Sequence, residues 1–125
     1  MQSVGMEVDQ DRDLTIVTVS GILELEQVLA VLTREGFGRT GRVLWDLRDA
    51  SVSSLTTEKL QQIAEGVSRV TGKRATRGTA IVTNSYNAQL VIELYFEIAT
   101  HRYGRKLPGF ATTCLDEAEE WLLGI

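Results

Sequence analysis

The stretch that decides the fold is VLWDLRDASVSSLTTEKL, residues 43–60. Together with Arg42, its first half is an apolar run that predicts a buried strand at residues 42–47, and its end opens a helix. Thr56 or Thr57 is the expected N-cap of that helix, because a side-chain oxygen there accepts a hydrogen bond from a free backbone N–H. A buried strand that passes through a short polar loop into a helix is the repeating unit of α/β proteins.

Strands and helices alternate on both sides of this stretch. The other strands are predicted at residues 4–9, 14–20, 78–83 and 110–114. One further helix begins at Leu25, and a second spans residues 87–103. The last helix follows the capping-box pattern TCLD at residues 113–116. The order ββαβαβαβα predicts one α/β domain over residues 1–125, with a mixed, mostly parallel sheet of about five strands and four helices.

Composition narrows the class of protein. The chain has 125 residues, a size that suits one domain, and its net charge of −4 argues against nucleic-acid binding, which needs a basic face. Its single cysteine excludes an internal disulfide framework and fits a reducing compartment. The first residues lack a charged leader with an apolar run, and no stretch is apolar enough to span a membrane. We therefore expect a cytoplasmic protein without a transmembrane segment.

Few residues could carry catalysis. His101 is the only histidine, so no histidine cluster can bind zinc, and a solvated surface position is favoured for it. Cys114 is expected to be a half-buried, inert thiol, although its place near a helix start can lower the pKa of a thiol. Asp46 and Asp49 could form a carboxylate pair or hold Mg²⁺, but two acids alone are a weak signal. We predict no catalytic residue, no metal ligand and no cofactor.

Three stretches together resemble the STAS/CRAL-TRIO-like superfamily: VLWDLRDAS at residues 43–51, RGTAIVT at residues 77–83 and LDEAEEWL at residues 115–122. STAS is named for sulfate transporters and anti-sigma factor antagonists, and the likeness is nearest to its small stand-alone bacterial branch. The resemblance covers nearly the whole chain in element order. It implies a small α/β domain that binds partners or ligands and does no catalysis.

The resemblance also singles out a loop for phosphorylation. Regulatory members carry an Asp-Ser-(Ser/Ala)-Gly signature at the start of the helix after the central strand, and a partner kinase phosphorylates the serine. This chain has SSLT at residues 53–56, so the flanking Asp and Gly are missing. Ser53, Ser54, Thr56 and Thr57 remain candidates for a phosphorylatable or anion-binding loop. The competing explanation, which we favour, is that these residues form only a turn and a helix cap.

The helix at residues 87–103 carries more apolar surface than a sheet can cover, since its apolar arc spans about 240°. We expect the stripe of Val91, Leu90, Leu94 and Ile98 to cover the sheet. Ile92, Phe96 and Tyr103 are then left as a candidate interface or ligand face. A homodimer through this helix is ranked first, an apolar pocket beneath it second, and burial under the N-terminal segment third.

These patterns lead to one main functional expectation and two alternatives. We expect a non-enzymatic binding or regulatory module that self-associates through the helix at residues 87–103. The alternatives are a carrier or sensor of a small apolar or acyl ligand, and a phosphorylatable switch of the anti-sigma antagonist type at residues 53–57.

Basic residues cluster at two predicted helix ends and in the loops after them. These two clusters could bind an anionic lipid surface, a phosphate ligand or an acidic partner. The simpler explanation is that cations favour helix C-termini and water. The residues are Arg69, Lys73, Arg74 and Arg77 in the first group, and Arg102, Arg105 and Lys106 in the second.

Overall fold

The computed structural model describes residues 3–71, 77–103 and 108–125. Within them, five strands and four helices follow one another in the predicted order. The strands are β1 (Ser3–Asp9), β2 (Leu14–Ile22), β3 (Arg42–Ser51), β4 (Gly78–Val82) and β5 (Gly109–Thr112). The helices are α1 (Leu25–Leu32), α2 (Thr57–Thr71), α3 (Tyr86–Tyr103) and α4 (Leu115–Leu123).

The strands lie in one sheet in the order β1-β2-β3-β4-β5. β1 pairs with β2 antiparallel, and the later pairs are parallel, so the predicted α/β fold with a mixed, mostly parallel sheet is confirmed. Each right-handed crossover moves the chain one strand further in the same direction. α1, α2 and α3 therefore cover one side of the sheet, which we call the three-helix face. α4 follows the last strand and covers the opposite side, the α4 face.

Side chains alternate between these two faces along the central strands. On β3, Val43, Trp45 and Leu47 join the core of the three-helix face, whereas Leu44 joins the core of the α4 face. β4 follows the same rule, with Ile81 on the three-helix face and its neighbours Ala80 and Val82 on the α4 face. The sheet therefore divides the interior into two separate cores.

Helix starts agree with the sequence at two positions. The Thr56 side-chain oxygen accepts a hydrogen bond from the Lys59 backbone N–H at 3.3 Å, and Ser85 Oγ accepts one from Ala88 N–H at 3.1 Å. Thr56 caps α2 as predicted, and Ser85 caps α3 in the same way.

The capping box predicted at residues 113–116 is wrong. Cys114 occupies the N-cap of α4, and its side chain makes no capping hydrogen bond. The hydroxyl that makes hydrogen bonds at this helix start belongs to Thr112, one residue before the predicted cap. Thr112 Oγ1 accepts a hydrogen bond from Cys114 N–H at 3.1 Å and donates one to Glu117 Oε1 at 2.8 Å. The TCLD spacing therefore lies one residue out of register with the helix.

Candidate functional site

The loop after β3 is an ordered turn in which most hydroxyls have structural partners. Ser54 Oγ donates to the Leu23 carbonyl at 2.9 Å, and Lys59 Nζ donates to the Ser54 carbonyl at 3.1 Å. Ser53 Oγ lies 2.8 Å from Ser51 Oγ. With Thr56 engaged as the cap of α2, these contacts tie the loop to the end of β2 and to the helix that it starts.

Ser53 and Thr57 are the exposed hydroxyl residues of the loop that hold no helix cap. A phosphate at either position would lie near the N-terminus of α2, where the helix dipole favours negative charge. Phosphorylation of the four candidates Ser53, Ser54, Thr56 and Thr57 stays a prediction.

β3 is longer than predicted, because it pairs with β2 as far as Ser51. Asp49, which was expected after the end of the strand, consequently lies within it, as Asp46 does. Arg48 donates two hydrogen bonds to the Asp46 carboxylate: Nε lies 2.9 Å from Oδ1, and a second guanidinium nitrogen lies 2.8 Å from Oδ2. These hydrogen bonds from Arg48 hold the pKa of Asp46 below its usual value, although partial burial opposes the shift. Asp49 is exposed.

The other residues considered for chemistry lie apart from one another. His101 is exposed near the end of α3. Cys114 is an exposed free thiol, so the expectation of a half-buried position is wrong; its place at the N-cap puts it at the helix surface. In the described parts of the chain, no three His, Cys, Asp or Glu side chains group as metal ligands do.

The basic groups are only partly within the described residues. Arg69 pairs with Glu65 at 2.5 Å, one helical turn away on α2. Arg77 donates to the Ile125 carbonyl at 2.6 Å, and buried Arg42 donates to the same oxygen at 2.7 Å. Arg102 is exposed. Lys73, Arg74, Arg105 and Lys106 lie outside the described residues.

α3 faces the sheet with a different stripe from the one predicted. Ile92, Tyr95 and Ala99 are buried in the core of the three-helix face, and Ile92 is only 4% exposed. The expectation that Ile92 lies on an outer interface is therefore wrong. Phe96 is half-buried, and its ring packs over Gly109 at the start of β5, so it too has a partner within the chain. The side chain of Tyr103 lies outside what the structure describes.

The outer side of α3 instead presents three large apolar residues. Tyr86 is 67% exposed, Leu90 44% and Leu94 39%. Their i, i+4, i+8 spacing places them in one row along the helix. We call Tyr86, Leu90 and Leu94 the outer row. Surplus apolar surface on this helix was predicted, but the sequence assigned Leu90 and Leu94 to the sheet.

A cavity of about 70 Å³ lies inside the three-helix face. Its walls come from α1, α2, α3, β3, β4 and the connection between α1 and β3, and they are mainly apolar. Ile92 and Tyr95 line it from α3, so the predicted pocket beneath this helix has a counterpart in the structure. The remaining lining residues are Leu23, Val28, Leu32, Phe37, Gly38, Thr40, Val43, Trp45, Leu47, Leu55, Leu60, Ile63, Val67, Thr79 and Ile81.

Among residues 3–71, 77–103 and 108–125, every helix is too short or too polar to cross a membrane.

The fold is similar to that of a solved structure, the crystal structure of an uncharacterized protein from the DUF3478 family with a SpoIIAA-like fold, from Shewanella loihica PV-4. The two chains share 16% sequence identity at a TM-score of 0.56, over 97% of this chain and 93% of that one. No protein-family model matches the chain, and no curated protein matches it. This likeness establishes the fold alone: the chain has a SpoIIAA-like α/β fold, as the resemblance to STAS proteins implies.

Proposed function

We propose that the chain is a non-enzymatic binding module that self-associates through α3. The observation that carries the proposal is the outer row, Tyr86, Leu90 and Leu94, which points away from the domain's own core. Burying a large apolar side chain is worth about 1.5–3 kcal/mol, so a row of three gives a binding surface a substantial driving force.

A second copy of the chain is the partner that fits the shape of this row. Residues spaced four apart form a ridge on a helix, and two such ridges can pack against each other across a two-fold axis. Leu90 lies in the middle of the ridge, where an isologous contact buries most surface. Glu93 and Glu97 are exposed and lie beside the row, three residues after Leu90 and Leu94. A reducing, cytoplasmic setting suits the exposed Cys114.

Size-exclusion chromatography with light scattering tests the proposal. We expect a dimer for the natural chain and a monomer for Leu90→Glu, because the variant places a charge at the centre of the contact. Leu123→Glu is the matched control: Leu123 is 45% exposed, but it lies on α4, and this variant should remain a dimer.

Two results would contradict the dimer. One is a natural chain that elutes as a monomer, and the other is a Leu90→Glu variant that dimerises as well as Leu123→Glu. Circular dichroism of both variants checks that each is folded.

The cavity favours a second candidate function, the carriage or sensing of a small apolar ligand. An empty cavity costs about 24 cal/mol per Å³, so filling 70 Å³ would regain on the order of 1–2 kcal/mol of stability. Native mass spectrometry of freshly purified protein tests this function, since a retained ligand adds its mass. A bare chain that also gains no thermal stability from any small hydrocarbon would count against it.

A further inference from the structure

The wall of the cavity is mainly apolar, and the hydroxyl of Thr40 within it is already engaged. Thr40 Oγ1 donates to the Arg42 carbonyl at 2.7 Å, so its 2.7 Å contact with Thr15 uses the Thr15 hydroxyl as donor. Thr79 and Tyr95 each have a partner within the chain. In the described residues, the buried side-chain atom without a partner is Arg42 Nε, and Arg42 does not line the cavity. A charged ligand would lose its water and find no oppositely charged side chain among the lining residues.

The size of the cavity limits the ligand further. An engineered cavity of about 150 Å³ holds benzene, which has six carbons. At about half that volume, this cavity has room for about three carbons.

The lining residues also indicate an entrance. Phe37, Gly38 and Val67 are half-buried, whereas the lining residues of β3 and β4 are buried. Gly38 has a φ of +86°, and no heavy atom lies within 4 Å of the position its Cβ would take. The wall is therefore open between the connection from α1 to β3 and the second half of α2.

We propose that this cavity binds a small, uncharged alkyl group of about three carbons, which enters between Phe37–Gly38 and Val67. The inference rests on the second candidate function and adds to it the chemical class of the ligand and the route by which it enters. A longer molecule would place its apolar end in the cavity and its remainder at the entrance.

Methyl NMR spectra of the full chain test the ligand class. The probes are dissolved propane, propionate, which has the same number of carbons and a charge, and benzene, which is a ring of twice the size. We expect propane to move the methyl signals of Ile63, Ile81 and Ile92 in a saturable way. The methyl signals of Val82 and Leu122 on the α4 face should stay in place and serve as the internal control. Propionate and benzene should move none of these signals.

A matched pair of variants tests the entrance. Val67→Leu adds one CH₂ group where the wall is open, and Val91→Leu makes the same change at a half-buried position of α3 that does not line the cavity. If the added group displaces one CH₂ of the ligand, propane should bind about fourfold more weakly to Val67→Leu, the equivalent of ~0.8 kcal/mol per CH₂. Val91→Leu should bind propane as the natural chain does.

The outcomes separate the inference from the function on which it rests. Saturable shifts with propionate or benzene equal to those with propane would overturn the ligand class and leave a carrier of small molecules standing. Equal weakening by both variants would overturn the entrance. If no probe moves the cavity methyls, both the inference and the carrier function fall.

Discussion

On the α4 face, the core contains alanine at two contact positions, Ala80 on β4 and Ala118 on α4, and both are fully buried. On the three-helix face, the residues under the helices are mostly large, among them Trp45, Ile81 and Tyr95. α4 packs directly on β3, β4 and β5, whereas α1 and α2 lie closer to each other than to the sheet. The cavity lies on the side with the large residues.

The difference teaches where empty space arises in a small α/β domain. Small side chains let a helix approach the sheet until backbone and side chains fill the gap, and Phe110 stacks on Trp121 at 5.3 Å beside that contact. Large side chains hold a helix further away, and their irregular shapes leave volume that the chain does not fill. Gly66 shows the same principle between helices: a Cβ there would lie 2.8 Å from Leu29, so α1 and α2 can meet closely at that point.

The largest expected effect comes from a pair of truncations, one on each face. Leu44 and Leu60 are 1% and 2% exposed, and only Leu60 borders the cavity. Leu44→Ala should lower the free energy of unfolding by about 4–5 kcal/mol, and Leu60→Ala by about 2–3 kcal/mol. Leu60 already lacks neighbours on its cavity side and so loses fewer contacts. Urea denaturation measures both, and equal losses would break the comparison between the faces.

Adding a methylene group should change the free energy of unfolding by an intermediate amount, and in different directions on the two faces. Val82→Ile on the α4 face has no space to enter, and should lower the free energy of unfolding by about 1–3 kcal/mol. Val43→Ile points the same extra group toward the cavity, and should be neutral or raise the free energy of unfolding by up to about 0.8 kcal/mol. Thermal denaturation in parallel shows the sign of each change. A loss at Val43 as large as at Val82 would mean that the cavity is closed to side chains.

The smallest effects concern how the helices of each face begin. α2 and α3 have side-chain caps at Thr56 and Ser85, whereas α4 has none at Cys114. Thr56→Ala should lower the free energy of unfolding by about 1 kcal/mol, and Cys114→Ser should raise it by about 0.5 kcal/mol. Thr57→Ala is the control next to the cap, with an expected change under about 0.5 kcal/mol. Chemical denaturation would sharpen the comparison, and a Thr56 effect no larger than that of Thr57 would contradict it.

The element order was predictable because it depends on local patterns. The apolar strand before residue 48, the hydroxyl residues Thr56 and Ser85, and the glycines between elements each act within a few residues, and the alternation of strands and helices then defines the class of fold. The end of β3 was missed because it depends on pairing with β2, a partner distant in sequence.

The orientation of α3 was harder to predict because apolar residues occupy most of its circumference. The sequence did contain one usable signal: Tyr95 and Ala99 lie opposite Glu93 and Glu97 on the helix, and the face opposite the acids is the buried one. The cavity had no such signal. It arises from the summed volumes of side chains on five helices and strands and on the connections between elements, and no local pattern records that sum.

The succession of three crossovers on one face has a consequence for synthesis on the ribosome. Chains emerge N-terminus first, so β1 to β5 and the three crossover helices leave the exit tunnel before α4 does. Until residues 115–123 emerge, Leu14, Leu44 and Val82 lack their covering helix. Until α4 has emerged, the nascent chain therefore exposes one apolar face of its sheet, the kind of surface through which unfinished chains aggregate.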